Sequence, residues 1–166
     1  MRPDRTDVWL QGLVAGLAGY AAVALFFVVV NVAGGRSPFY TPALLGSALF
    51  YGLRDPAQLV VAPGPVLAYN GLHILVFVVV GVLAAWLVFE VELHPYLWYV
   101  VFFLFLAGFL LSLAAVGVLG AEIARLLPWW SVLGANLAWS AALGGCLWRA
   151  HRALLRRLAS RGDEER

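Results

Sequence analysis

The residues of this chain that can do chemistry are few, and most are histidine, tyrosine or amide side chains set among apolar ones. His73 is the only histidine inside a long apolar run, since His94 and His151 stand outside such runs. Tyr69 and Asn70 precede it by four and three residues, a spacing that places all three on one face of a helix. Counted from Val66, His73 lies roughly 10 Å into its helix at 1.5 Å per residue. Asn136 sits at a similar depth in another run and can meet His73 there, with Ser140 one turn further in and Asn31 near the end of a third run. A neutral imidazole in such a layer can be an axial ligand to a haem iron or a chlorophyll magnesium. A bis-histidine haem lacks its second histidine. A quinone headgroup can be hydrogen-bonded by His73, Tyr69 or Asn136. A proton relay would need a carboxylate in mid-run, and there is none. The plain alternative is that these side chains hydrogen-bond between helices and fix their register, at roughly 0.5–2 kcal/mol each. His73, Tyr69, Asn70 and Asn136 are therefore the candidate cofactor-binding residues, and His73 the candidate metal ligand. Quinone, carotenoid, chlorophyll and haem remain open, and none is required.

The elements that must position these residues are long and apolar. Of 166 residues 63% are hydrophobic and only 12% charged, with a mean hydropathy of +0.90. A soluble domain of this size needs more polar residues to cover itself. About 20 apolar residues cross a hydrocarbon core about 30 Å thick, and four runs meet that length: about 8–33, 66–89, 96–121 and 129–148. The expectation is a single all-α membrane domain over 1–166, a bundle of four transmembrane helices. The first run is too long for a cleavable signal peptide and is expected to remain as an anchor.

Gly34 to Pro38 end the first helix. Thr41 and Pro42 read as an N-cap and first helical residue, opening a short apolar helix over about 42–53, either interfacial or re-entrant. Asp55 and Pro56 can start a further turn, and Pro63-Gly64-Pro65 reads as a rigid turn before the second span. His94-Pro95 and Pro128 mark the later turns, with Tyr96, Trp98, Tyr99, Trp129 and Trp130 as interfacial aromatic belts. Gly12 and Gly16 form a GxxxG that lets a helix approach closely, in this chain or in a partner. Cys146 reads as a small packing residue.

All eleven basic residues are arginines, and placing both termini on one side puts eight of them there against three (Arg36, Arg54 and Arg125) on the other. The excess marks the cytoplasmic side, so both termini are expected inside a bacterial inner membrane, with the short helix outside. The stretch 149–161 continues the fourth span as a basic amphipathic tail in which Arg149, Arg152, Arg156 and Arg157 touch anionic lipid. Glu122 and Arg125 are expected to pair at a helix end. Glu90 and Glu92 flank a turn as solvated charges or, with His94, as a cation site.

The segment Phe39-Tyr-Thr-Pro-Ala-Leu-Leu-Gly-Ser-Ala-Leu-Phe50 after a first membrane helix resembles one found in small four-helix bacterial membrane proteins, with the likeness continuing towards His73. That resemblance implies the helix count and no activity. No GxSxG, HExxH, P-loop, CxxC or dinucleotide fingerprint occurs, so no enzyme is expected. Nucleic-acid binding has no folded basic surface. With little mass outside the membrane and spans rich in aromatics, the first functional expectation is an accessory subunit of a larger energy-converting complex, respiratory or photosynthetic, with lipids and other membrane subunits as partners. A stand-alone carrier or channel acting as a homo-oligomer, and a quinone-, haem- or chlorophyll-binding protein built on His73, are the alternatives.

Overall fold

The computed structural model describes residues 5–94, 98–118, 125, 127 and 129–150. They form five α-helices, one 3-10 turn and no strand: α1 (Arg5–Ala33), α2 (Tyr40–Phe50), the 3-10 turn Pro56–Gln58, α3 (Pro63–Leu93), α4 (Trp98–Val118) and α5 (Trp129–Ala150). Two of these, over Val8–Ala33 and Pro63–Val91, are long and apolar enough to cross a membrane. The expected third and fourth runs are helices, α4 and α5. Of the expected basic tail, Arg149 ends α5 exposed to solvent or lipid, whereas Arg152, Arg156 and Arg157 lie outside the described residues, as does Glu122.

The core is α1 packed between α3 and α5, with α2 laid against the start of α3 and α4 touching its neighbours only sparsely. Backbone meets backbone where α1 crosses α3. A Cβ on Gly16 would stand 2.5 Å from the Phe77 carbonyl oxygen and 2.9 Å from Val78 Cα, and one on Gly12 would stand 2.5 Å from Val82 Cα. On the facing helix, Gly81 abuts the Gly12 carbonyl and the Gly16 backbone. The GxxxG is thus spent inside the chain and completed by a glycine the motif itself did not name. On the other side of α1, aromatic rings replace absent side chains: the Trp139 indole fills the space over Gly19, and the Phe26 ring fills the space over Gly134. Val8, Ala15, Ala85, Leu143 and Leu147 form the buried cluster between these three helices, with Cys146 packed beside it.

Several local expectations are corrected. α2 starts at Tyr40 and ends at Phe50, and Phe39 occupies the N-cap position without a side-chain bond. Thr41 is therefore no cap. It is buried inside the first turn, and its hydroxyl donates to Asn31 Oδ1 at 2.9 Å. Pro63-Gly64-Pro65 is the first turn of α3, not a turn before it, because proline at the first helical position gives up an N–H that has no partner there anyway. Asp55 does start a turn, its carboxylate accepting from Ala57 N–H at 2.9 Å.

α2 is more than surface dressing: Thr41, Ala43, Leu44, Leu45, Gly46 and Ser47 are all buried. Leu44 and Leu45 pack with Leu127, Phe27 and Tyr69, and Gly46 lies directly on the Pro65 backbone. The helix lies over one end of the α1–α3 pair. Gly52 then turns the chain back at φ +69°, so that the Leu53 N–H reaches the Ser47 carbonyl at 3.0 Å. Only glycine holds that backbone without strain. Gly52→Ala meets no steric neighbour, so its expected cost is the conformational one alone, about 1 kcal/mol, read as a lowered midpoint in thermal unfolding.

Candidate functional site

α3 carries a ladder of rings on one face. The His73 imidazole lies 4.9 Å from the Tyr69 ring at 30° and 4.7 Å from the Phe77 ring at 33°. Each ring is four residues from the next, the spacing that stacks side chains on successive helical turns. Both faces of the imidazole are covered in this way. From α1, the Tyr20 ring leans in at 6.3 Å from His73 and 6.3 Å from Phe77. From α5, Trp139 meets Phe77 edge-on at 6.0 Å, and its ring also reaches Gly108 of α4.

The amides hold this ladder in place. The Tyr20 hydroxyl donates to Asn70 Oδ1 at 2.8 Å, and Asn70 Nδ2 donates to the Val66 carbonyl at 2.8 Å. Asn70 thus ties α1 to α3 at the level of His73, as interhelical bonds in apolar surroundings do. Tyr69, Asn70 and His73 come together as the four-and-three spacing requires. Asn136 does not join them through a hydrogen bond. Its Nδ2 donates to the Val132 carbonyl of its own helix at 2.8 Å, and α5 reaches the ladder through Trp139 instead. Asn31 serves α2, not the ladder: its Nδ2 donates to the Pro38 carbonyl at 3.2 Å while its Oδ1 accepts from Thr41.

The imidazole itself is half-buried in the wall of the bundle. No described residue hydrogen-bonds either of its ring nitrogens; among the described residues its ring contacts are with Tyr20, Tyr69 and Phe77. Leu72 and Val76, its neighbours on α3, are exposed on the outside of the helix. What this arrangement can do is fix a neutral imidazole in one orientation, faces clamped, with an edge for one donor and one acceptor at the side of the bundle.

Sequence reasoning missed Tyr20, Phe77 and Trp139 as parts of this arrangement. Tyr20 carried a signal, a polar-tipped ring in the middle of an apolar run, but its partner Asn70 is fifty residues away. Among the described residues no three His, Cys, Asp or Glu side chains gather into a metal site; the Glu92 side chain lies outside them. Compared with protein-family models, curated proteins and solved structures, the chain matches none. The class the fold itself defines is an all-α protein, two of whose helices are long and apolar enough to cross a membrane.

Proposed function

We propose that the chain is a four-span protein of a bacterial inner membrane, both termini cytoplasmic, that works as an accessory subunit of a larger energy-converting complex of the respiratory or photosynthetic kind. At 21 and 22 residues, α4 and α5 extend for about 32 Å, enough to cross a hydrocarbon core. The arginine asymmetry supports the orientation. Large apolar side chains stand exposed along α1, α3 and α4, among them Leu25, Leu75, Phe103 and Leu111, as suits helices facing lipid or other subunits.

One observation carries the subunit reading. His73 is ten residues into α3, about 15 Å from its start, and its nitrogens take no hydrogen bond from this chain's described residues. In hydrocarbon an unpaired N–H costs several kcal/mol. The imidazole edge is thus open to a group beyond the described residues, and a polar side chain on a neighbouring subunit is the simplest such group. The same observation favours a second reading, in which the edge ligates a haem or chlorophyll or hydrogen-bonds a quinone held between subunits. The carrier reading draws no support from the geometry: glycine contacts close α1 against α3, and Tyr20, Phe77 and Trp139 fill the space beside them.

The test is recovery of a tagged chain from native membranes in mild detergent. A stoichiometric set of membrane partners is expected, and His73→Phe, which preserves the ring ladder, should reduce their recovery at least tenfold without changing helicity. A visible absorbance band present in the natural protein and lost in His73→Phe would select the cofactor version. A chain recovered alone and colourless would end both.

A further inference from the structure

At the end of the bundle where α3 begins, the chain from α2 to α3 surrounds an open cleft of about 560 Å³. Its polar lining is Ser47, Arg54, Asp55 and Gln58, and Tyr51 and Val60 stand at its rim, both largely exposed. Arg54 and Asp55 are neighbours in sequence, both exposed, and among the described residues they form no ion pair. The Asp55 oxygens take the Ala57 N–H and, at 3.3 Å, Gln58 Nε2, which fixes the carboxylate and leaves its charge uncompensated. Ser47 adds a third polar group to the cleft. It is only 8% exposed, it lines the cleft, and among the described residues its hydroxyl has no hydrogen-bond partner. Ser47 stands in the second half of α2, and its hydroxyl lines the cleft where a ligand oxygen can accept from it.

We infer that this cleft is the headgroup site of a zwitterionic phospholipid, one carrying a phosphate and an ammonium group. The assignment rests on the membrane reading proposed above. Arg54 receives the phosphate, the acceptor its planar fork fits best, and Ser47 donates to a phosphate oxygen. Asp55 receives the ammonium. A lipid bearing only negative charge would engage Arg54 through its phosphate but bring no cation to Asp55, whose carboxylate would then repel it, so the two charges of opposite sign select against such lipids. Depth agrees with a lipid: the cleft opens where a spanning helix starts, and the exposed Val60 and Leu67 lead from it along α3 as an apolar track for acyl chains.

The full chain, purified in detergent and stripped of lipid, is titrated with a phosphatidylethanolamine and, separately, a phosphatidylglycerol of the same acyl chains, with bound lipid counted by native mass spectrometry. One phosphatidylethanolamine per chain is expected to bind at least tenfold more tightly than phosphatidylglycerol. Arg54→Gln and Ser47→Ala should each erase most of that preference. Arg54→Lys should keep part of it, and Arg36→Gln, whose guanidinium lies over the Tyr40 ring outside the cleft, should keep it all. Equal binding of the two lipids, or a preference untouched by Arg54→Gln, would overturn the assignment. So would displacement of the lipid by water-soluble phosphoethanolamine at equal concentration, which would mark a site for a free solute. If the chain leaves membranes without detergent, the membrane reading fails first, and the two failures are told apart at extraction.

Discussion

Gly16→Leu is expected to break the bundle. The first atom of the new side chain would lie 2.5 Å from the Phe77 carbonyl oxygen and 2.9 Å from Val78 Cα, and both are backbone, so no side chain can swing aside. α1 and α3 would have to separate, and with them the contacts that Ala15 and Ala85 make in the buried cluster. Forced overpacking costs about 1–3 kcal/mol in a core that can adjust; here the crossing cannot, and the upper end or beyond is expected. Gly81→Leu should do the same from the other helix, because its Cβ would meet the Gly16 backbone at 2.7 Å. Gly71→Ala is the internal control. A Cβ there meets nothing, and alanine in a helix is better than glycine by about 0.5–1 kcal/mol. Thermal unfolding in detergent should therefore move down for Gly16→Leu and Gly81→Leu, and up or not at all for Gly71→Ala. Equal behaviour of Gly16→Leu and Gly71→Ala would remove the close crossing from the account of this fold.

Asn31→Leu should be the next most damaging change. Asn31 is 3% exposed, and its amide is used at both ends, donating to Pro38 and accepting from Thr41, itself 4% exposed. Leucine removes both bonds and leaves the buried Thr41 hydroxyl without its acceptor, worth about 1–3 kcal/mol when stranded, whereas the carbonyl of the exposed Pro38 can turn to solvent. The expected loss is about 1–3 kcal/mol, and it should fall on α2, since these bonds fix how that helix returns over the end of α1. Adding Thr41→Val to Asn31→Leu removes the stranded group. The double variant should then recover about 1 kcal/mol relative to strict additivity, and hydrogen exchange of the α2 amides should slow again. Additive losses would show that the two side chains do not act as a pair.

The two kinds of sequence signal fared differently. The runs about 8–33 and 66–89 were legible as helices because a stretch of apolar residues that long has few other ways to satisfy its backbone. Their ends were not: α3 starts three residues early, at Pro63, because proline reads as a breaker and as a helix start with equal ease. Thr41 looked like a cap because threonine before proline often is one. What overrode that local preference was a bond from a residue ten positions back. The ladder was half legible. The spacing of Tyr69, Asn70 and His73 gave one face of one helix, and the same rule extended by one turn would have added Phe77. Tyr20 and Trp139 come from other helices, and no local pattern records which helix faces which. Asn136 matched His73 in depth alone, and depth does not say which way a side chain turns; its own backbone had an acceptor closer to hand.

The glycine crossing also has a consequence in time. α1 and α3 are the first two long helices to be made, and every residue of their contact precedes α4 and α5 in the chain. At synthesis rates of about 5–20 residues per second, the two helices have both been made for seconds before α5 exists. Their union needs no later element, since it is backbone on backbone, with Tyr20 and Asn70 latching it from within. The expected order is therefore α1 with α3 first and α5 last: the space over Gly19, bordered by Phe77 of α3, is closed only when Trp139 arrives from the last helix.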